Sequence, residues 1–433
     1  MSKYLKRITI EYFTSNKNKI YKSDEMTNLN LKNFAKIKDS DFDIKDITVF
    51  AGKPGSGKSY IMKFQYAYTE AISSIVNETY QMHYALINSE PFEQNMIQAF
   101  RSMSPLSDMN NMDELYKYID ANDYIKAFEI IDAESKNIKK SEKSIYDVLK
   151  KILHIRSEKQ KKSLIASENE KFNFIFRNIL ESTFGDINQI NDNFIFTQEK
   201  IKISYSDNKL AVSNLVVDEK INGAIFVETP LILEFQKFLP IERFRTPYHI
   251  DSLLQELNKN DFSFTSDDTN KFINEFRVSA SQIINGNIAK GAQGFSFESN
   301  SGKNYNIVNA SSGIKSIGLL QYLVTNKVLK KGSTLFWEEP EVHLHPTWQL
   351  KMVDLFIELM NAGVKVVFST HSPFMADYLN AKAQREKFSE RVSFNLLNEK
   401  EGVVSNTILN DENWNLLQDE LMGAFKEIMW QYL

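Results

Sequence analysis

The chain has 433 residues, of which 42% are hydrophobic and 25% are charged, and its formal net charge is −4. This length allows a large core divided into two or three lobes, and the composition is that of an ordinary globular protein. The small net charge predicts no overall attraction to nucleic acid or membrane, and the absence of cysteine excludes disulfides and thiolate metal sites. No apolar run approaches the roughly 20 residues of a membrane span and no signal peptide is recognisable, so we expect a cytoplasmic protein without membrane contact.

Two strands are predicted near the N-terminus, at 28–34 and 47–50. Asp39, Asp41 and Asp43 alternate between them. This spacing is typical of the solvated face of a strand, and a metal-binding cluster is the alternative interpretation.

The second strand leads into a segment that fits the phosphate-binding P-loop pattern G-x-x-x-x-G-K-[ST]. A predicted helix follows, and the order strand, loop, helix favours a nucleotide site over the alternative, a tight surface turn. The glycines let successive N–H groups point at phosphate oxygens, and the helix N-terminus adds partial positive charge. Lys58 is expected to bind the β- and γ-phosphates of ATP, and Ser59 to hold Mg²⁺. The predicted nucleotide-binding residues are Gly52, Lys53, Pro54, Gly55, Ser56, Gly57, Lys58, Ser59 and Tyr60.

A further strand is predicted at 83–88, and a helical arm follows it. No glycine occurs from residue 105 to residue 184, and apolar residues recur at helical spacing. Between Lys136 and Lys162, ten Lys and Arg residues face only three acidic ones. This segment is interpreted as a solvated helical arm, as a surface that binds nucleic-acid backbone, or as a surface for a protein partner.

The middle of the chain predicts antiparallel strands, then helices over 250–285, then a hairpin around the polar turn at 300–303. The predicted strands are 194–197, 201–205, 224–227, 293–297 and 305–308.

The C-terminal part alternates helices with apolar strands, which predicts a parallel sheet buried on both faces. The predicted elements are a helix at 313–330, a strand at 334–337, a helix at 347–361 and a strand at 364–368. The tail from residue 392 adds short strands and a final helix.

Apolar residues at steps of three and four mark this final helix. They are Trp414, Leu417, Leu421, Phe425, Ile428 and Tyr432. The stripe is interpreted as core packing, with docking of a partner protein as the alternative.

The strand at 334–337 ends in two adjacent carboxylates, Glu338 and Glu339. Hydrolysis of ATP requires one group that holds Mg²⁺ and another that orients the attacking water. Because adjacent side chains of a strand point to opposite sides, the two carboxylates can divide these roles. We assign Glu338 to the metal, through water, and Glu339 to the nucleophilic water.

The segments 338–346, Glu-Glu-Pro-Glu-Val-His-Leu-His-Pro, and 368–373, Phe-Ser-Thr-His-Ser-Pro, resemble motifs of a known family. The family is the ABC-type ATPase heads of the SMC, RecF and OLD-like group, which includes bacterial AAA-family ATPases. The segment 309–316 lies where that family carries its signature loop, and the order of the motifs is the family's order. The resemblance covers about 28–100 and 290–380. It implies an α/β P-loop NTPase head, with a mixed sheet, an antiparallel β subdomain and an inserted helical arm.

In the resembled family two heads enclose two ATP molecules head to tail, so the resemblance implies a homodimer with two composite sites. The resemblance also implies that the signature residues Ser311, Ser312 and Gly313 face the partner's nucleotide. These residues open a helix, and the N-terminus of a helix can bind an anion. The resemblance implies that His371 contacts the γ-phosphate of ATP. Without the resemblance, His371 would be interpreted as a histidine of the hydrophobic core.

Several positions depart from the family pattern. Glu338 stands where aspartate is usual, so the metal geometry and the turnover are expected to differ. The signature reads Ser-Ser-Gly instead of Ser-Gly-Gly. The candidates for the family's Q-loop glutamine are Gln65, Gln81 and Gln94. A zinc site is the alternative to the family's loop for Glu341, His343 and His345.

The chain is divided into five predicted parts. They are the P-loop part of the head, 1–104; the basic arm, 105–192; a lobe of strands and helices, 193–290; the part of the head with signature, acidic pair and histidine, 291–385; and the C-terminal strands and helix, 386–433.

The resemblance implies a Mg²⁺-dependent ATPase that acts as an ATP-driven dimerisation switch and regulates a separately encoded effector in bacterial anti-phage defence. Only 62 residues follow His371, which are too few for the Toprim domain of the OLD nucleases. One alternative is a RecF- or SMC-like DNA-maintenance ATPase that binds DNA through the basic arm. The other is the energising subunit of an ABC transporter.

Overall fold

The computed structural model describes most of the chain from residue 27 onward. The described residues are 27–77, 112–121, 123–133, 143–164, 167–235, 246–259, 267–291, 294–342 and 344–432. The predicted strand at 83–88 lies outside them, as do Gln81, Gln94, His343 and the arm residues Lys136, Lys139 and Lys140.

Fourteen strands are described. They are β1 (Thr27–Phe34), β2 (Ile37–Ile44), β3 (Ile47–Gly52), β4 (Phe194–Gln198), β5 (Ile201–Ser206), β6 (Lys209–Ser213), β7 (Gly223–Val227), β8 (Gly286–Gly291), β9 (Gly294–Ser299), β10 (Asn304–Asn306), β11 (Ser333–Trp337), β12 (Lys365–Thr370), β13 (Val392–Lys400) and β14 (Val403–Ile408).

Twelve α-helices are described. They are α1 (Lys58–Val76), α2 (Met112–Asp120), α3 (Tyr124–Ala133), α4 (Lys143–Leu164), α5 (Glu168–Phe184), α6 (Ile232–Phe235), α7 (Tyr248–Asn258), α8 (Asp267–Ile284), α9 (Ser312–Thr325), α10 (Pro346–Asn361), α11 (Pro373–Glu386) and α12 (Asn415–Tyr432).

One large mixed sheet organises the fold, in the strand order β6-β5-β4-β1-β2-β14-β13-β3-β12-β11-β7. Its strands β13, β3, β12, β11 and β7 run parallel to one another. Every residue of β3 and β11 is buried, and their side chains alternate between two hydrophobic cores. Phe336 faces one core, whereas Leu335 and Trp337 face the other. The predicted parallel sheet is therefore confirmed, and the carboxyl ends of its strands meet at one edge.

The prediction that 224–227 belongs to the antiparallel group was wrong. Strand β7 pairs in parallel with β11, and Val227 lies opposite Trp337. Four of the five residues of β7 are buried. Such a short apolar run shows no alternation, so the sequence does not reveal the direction of pairing.

The other half of the sheet, from β6 to β2, is antiparallel, which confirms the predicted strands at 194–197 and 201–205. Three strands, not two, precede the P-loop, because β2 fills the segment between the two predicted ones. The predicted hairpin is confirmed in β9 and β10, and β8 adds a third strand to this small sheet.

The aspartates of β2 do not form a metal cluster. Asp39 and Asp41 are exposed and both accept hydrogen bonds from the Asn30 side chain, at 2.9 Å each. Asp43 is buried, and its backbone N–H donates to the Asn395 side chain. In the described ranges no three His, Cys, Asp or Glu side chains are arranged to hold a metal ion. The interpretation as a solvated face is thus confirmed for the first two aspartates and wrong for the third.

Helix α1, which follows the P-loop, is anchored by aromatic packing. The ring of Phe64 lies between 4.9 and 5.7 Å from the rings of Phe34, Phe176, Phe194 and Phe196. These contacts join the helix to β1, β4 and α5, so the phosphate-binding loop rests on a rigid base.

The predicted arm contributes to two different cores. Residues of α2, α3 and α4 form a small cluster of their own, around Leu115, Ile131 and Leu149. Helix α5 instead packs its apolar side chains, such as Phe172 and Phe176, with α1 and the antiparallel strands. The boundaries of the arm stay a prediction.

The structure describes the side chains of three basic residues of the arm, and two of these three have partners within the chain. Arg156 is only 6% exposed and donates to the Tyr124 hydroxyl at 2.9 Å. Lys150 forms an ion pair with Asp132. Lys151 is exposed. Of these three described residues, only Lys151 is exposed, so they add less surface charge than the sequence suggests.

The C-terminal helix α12 returns to the head. Leu417 is fully buried, and Trp414 and Leu421 pack against the core beside it. Core packing is thus confirmed for this half of the apolar stripe, while the side chains of Phe425, Ile428 and Tyr432 lie outside the described ones.

Among the described helices, none combines the length and the apolar character needed to cross a bilayer.

Candidate nucleotide site

The P-loop connects β3 to α1 through three glycines with positive φ. The φ angles are 143° at Gly52, 80° at Gly55 and 86° at Gly57, and Gly57 is the N-cap of α1. A residue with a side chain is strained in these conformations, so glycine permits the tight turn. The N–H groups of the first helical turn are therefore presented at the carboxyl edge of the sheet.

Replacing Gly52 with alanine is expected to destabilise the fold by at least about 3 kcal/mol, because overpacking adds to backbone strain. A Cβ at this position would lie 2.4 Å from the carbonyl oxygen of Leu397 on β13. Thermal denaturation measures the change. Gly423→Ala in α12 is the matched control, since its Cβ meets nothing within 4 Å. A Gly52→Ala protein as stable as this control would contradict the close packing at Gly52.

Lys58 is buried at the start of α1 and its ammonium group is held by the loop itself. Its Nζ donates to the carbonyl oxygens of Gly52, at 2.8 Å, and Lys53, at 3.0 Å. Burial lowers the pKa of Lys58 to about 8, against the opposing effect of three nearby glutamates. The ammonium therefore lies under the loop, at the position from which it can reach a phosphate.

Ser59 and Glu338 come together as the candidate metal ligands. The Ser59 side chain lies near the carboxyl group of Glu338 and lowers its pKa, whereas burial raises the pKa of this carboxyl group. The Oε1 atom of Glu338 is buried without a hydrogen-bond partner. A hydroxyl and a carboxylate with an unsatisfied oxygen are suitable ligands for Mg²⁺, which prefers oxygen donors. The residues present therefore fit this metal.

Glu339 and His371 form the second pair. The Nε2 atom of His371 lies 3.0 Å from Oε1 of Glu339. Burial, and then the charge of Lys58, lower the pKa of His371. Glu339 has a φ of 44°, and its backbone N–H donates to the carbonyl oxygen and the hydroxyl of Ser369. Ser369 of β12 thus holds the backbone of Glu339, and His371, which follows β12, contacts its side chain.

The signature segment opens α9 as predicted. Ser311 is the N-cap, and its hydroxyl accepts a hydrogen bond from the N–H of Ile314 at 3.4 Å. Ser311 is exposed and Ser312 partly exposed. Gly313 is buried, and a Cβ there would lie 3.1 Å from the ring of Trp348. The helix N-terminus is therefore open toward solvent, on a tightly packed base.

A sequence profile of the AAA ATPase domain matches residues 25–376. The chain belongs to the AAA ATPase domain family. This finding confirms the AAA-family ATPase that the resemblance implied. No curated protein matches the chain.

The ATPase head is also similar in fold to solved SMC heads. An SMC head bound to the C-winged helix domain of ScpA has 14% identity and a TM-score of 0.41, covering 90% of this chain and 99% of that one. The SMC head domain from Thermotoga maritima has 12% identity and a TM-score of 0.38, covering 89% and 100%. An Smc head with an extended coiled coil, bound to the C-terminal domain of ScpA and derived from Pyrococcus furiosus, has 13% identity and a TM-score of 0.36, covering 92% and 100%.

The side chains of two predicted nucleotide-binding residues of the ATPase head have partners of their own. Lys53 is exposed and pairs with Glu420 of α12 at 3.4 Å. Tyr60 is 38% exposed, and its ring packs against that of Phe184, 5.1 Å away. Pro54 and Gly55 are exposed, so the outer rim of the loop is open.

Glu341 holds the loop that carries His371. Its Oε1 accepts hydrogen bonds from the Thr370 hydroxyl, at 3.0 Å, and from the His371 backbone N–H, at 2.6 Å. His345 caps α10, accepting from the N–H of Thr347. The described part of the site shows no zinc ligand set.

Sequence reasoning missed three residues at the same edge of the sheet. Glu228 follows β7, and its carboxylate contacts Nζ of Lys63 at 3.3 Å and Nε2 of His249 at 2.8 Å. A parallel pairing of β7 with β11 would have placed Glu228 beside Glu338, but β7 was predicted to be antiparallel. Gln65, one candidate for the Q-loop glutamine, is buried within α1.

Proposed function

We propose that this ATPase head hydrolyses ATP with Mg²⁺ and that ATP joins two heads into a dimer. The observation that carries the proposal is the meeting of Lys58, the Ser59–Glu338 pair and the Glu339–His371 pair at one edge of the sheet. A phosphate cradle, a metal site and a base beside it are the parts that phosphoryl transfer to water requires.

The residues divide the work according to their chemistry. The P-loop N–H groups and Lys58 bind and orient the phosphates. Ser59 and Glu338 would hold Mg²⁺, which would neutralise charge on the phosphate oxygens. Glu339 orients a water and accepts its proton as the water oxygen bonds to the γ-phosphorus and the bond from phosphorus to the ADP oxygen breaks. His371 holds the Glu339 carboxylate through Nε2.

The dimer is supported by the position of the signature residues. Ser311 lies exposed at a helix N-terminus, and in the described contacts it bonds to its own helix and not to the P-loop. The N-terminus of this helix can bind an anion, and in a dimer that anion would be the γ-phosphate held by the P-loop of the second head. Two equivalent sites then form around one twofold axis.

A mixture of Lys58→Ala and Ser311→Arg chains is expected to recover ATPase activity that neither variant has alone. In a mixed dimer one site has both defects and the other has none, so random pairing gives about a quarter of wild-type activity. Phosphate release from equal mixtures measures this. As a control, a chain carrying both substitutions is mixed with Lys58→Ala, which leaves no intact site. A mixture no more active than either variant alone would show that the signature does not act across a dimer.

The biological role in the proposal is regulation of a separately encoded effector in anti-phage defence, supported only by the resemblance of the motifs. Purification from the native host with the flanking genes, followed by mass spectrometry, tests it. A bound protein encoded nearby supports the role, while recovery of nucleic acid favours the alternative of a DNA-maintenance ATPase. The pairing of Lys150 and the burial of Arg156 reduce the charge available for that alternative.

A further inference from the structure

Lys63 brings a fixed positive charge to the acidic edge of the site. It lies one helical turn beyond Ser59 on α1, and its side chain is only 17% exposed. Its Nζ is 3.3 Å from Oε1 of Glu228 and 5.9 Å from the centre of the Phe226 ring. The ammonium group is therefore held at the ends of β7 and β11, and not in solvent.

Glu228 and Glu338 are neighbours that directly follow the adjacent parallel strands β7 and β11. The backbone N–H of Glu338 donates to the carbonyl oxygen of Val227 at 2.9 Å, which places the two carboxyl-bearing residues side by side. The second oxygen of Glu228 is bonded to His249, whose side chain is 1% exposed. Glu228 is thus held from both α1 and α7, whereas Oε1 of Glu338 has no partner.

Two carboxylates this close repel each other unless a cation lies nearby. The hydrogen bond from His249, and then the charge of Lys63, hold the pKa of Glu228 at about 2, so it is ionised. Burial raises the pKa of Glu338, and the charge of Lys63 is the largest influence that lowers it. The ammonium group therefore stabilises the negative charge of both glutamates.

We propose that Lys63 is a positioning residue that acts as a built-in counter-cation for the Glu228–Glu338 pair. It holds the Glu228 carboxylate in place before Mg²⁺ arrives, and its positive charge limits how strongly the two glutamates attract the metal. This inference rests on the proposed function, since it takes Glu338 as a metal ligand.

The test measures thermal unfolding with a non-hydrolysable ATP analogue over a series of Mg²⁺ concentrations at constant ionic strength. Lys63→Met is expected to lower the unfolding temperature of the metal-free protein and to lower the half-saturating Mg²⁺ concentration by about tenfold, the effect of removing one neighbouring charge. Glu228→Gln keeps the cation and is expected to raise that concentration. In the double variant the half-saturating Mg²⁺ concentration is expected to return near the wild-type value. Lys63→Arg, which keeps the positive charge, is expected to have the wild-type value as well.

The double variant separates the charge effect from a packing effect. If Lys63 only packs against Phe226, Lys63→Met would destabilise the protein equally with and without Mg²⁺, and Glu228→Gln would not restore it. Either result would overturn the inference. Glu228→Gln alone also tests it should Lys63→Met fail to fold, since an unchanged Mg²⁺ requirement contradicts the charge balance. A wild-type protein that Mg²⁺ does not stabilise would instead refute the proposed function, and this inference with it.

Discussion

Glu339→Gln is expected to slow ATP turnover by about 10²–10³-fold, the cost of losing one positioned catalytic group. Glutamine has nearly the same shape and can still contact Nε2 of His371, but it cannot accept a proton from the attacking water. ATP binding should persist, because Lys58, Ser59 and Glu338 are unchanged. The protein should therefore accumulate as an ATP-bound dimer.

Steady-state phosphate release measures the loss of turnover, and light scattering during size-exclusion chromatography with Mg²⁺ and ATP measures the dimer. Glu399→Gln is the matched control, since it makes the same substitution in a glutamate that pairs with Lys36 away from the site. This control is expected to turn over and to elute as the wild type does. Equal turnover in Glu339→Gln and wild type would remove Glu339 from the role of base.

The backbone around Glu339 supports this role. A φ of 44° is unfavourable for a residue with a side chain, and it persists because β12 fixes the segment through Ser369. The strained residue is the one whose carboxylate meets His371, whereas its neighbour Glu338 turns toward Ser59. The adjacent glutamates thus have different neighbours on opposite sides of the strand end, and their roles toward metal and water stay a prediction.

The P-loop and the acidic pair could be predicted because their chemistry is encoded locally. In each case an apolar strand is followed within a few residues by the groups that act. The contact of Glu339 with His371 was not predicted. It forms because the parallel strands β11 and β12 end at the same edge of the sheet.

Glu228 was missed because its position depends on a strand direction that the sequence does not specify. The apolar run of β7 is compatible with parallel and antiparallel pairing, and only its partner β11 decides between them. The burial of Arg156 was missed for a similar reason. Tyr124 is 32 residues from Arg156 along the chain, and a count of charges cannot show that their side chains meet.

Lys58→Ala is expected to weaken ATP binding by at least about 10²-fold, since each charge-assisted hydrogen bond to phosphate contributes about 1.5–3 kcal/mol. The ammonium also holds the loop through the carbonyl oxygens of Gly52 and Lys53, so the substitution removes both the predicted phosphate ligand and the bonds that shape the loop. Calorimetric titration with ATP measures the loss, after thermal denaturation has shown that the variant is folded. Lys53→Ala is the matched control, because its exposed ammonium pairs with Glu420 and is expected to change the affinity by no more than about threefold. Equal affinities in the two variants would mean that Lys58 is not the lysine that binds the phosphates.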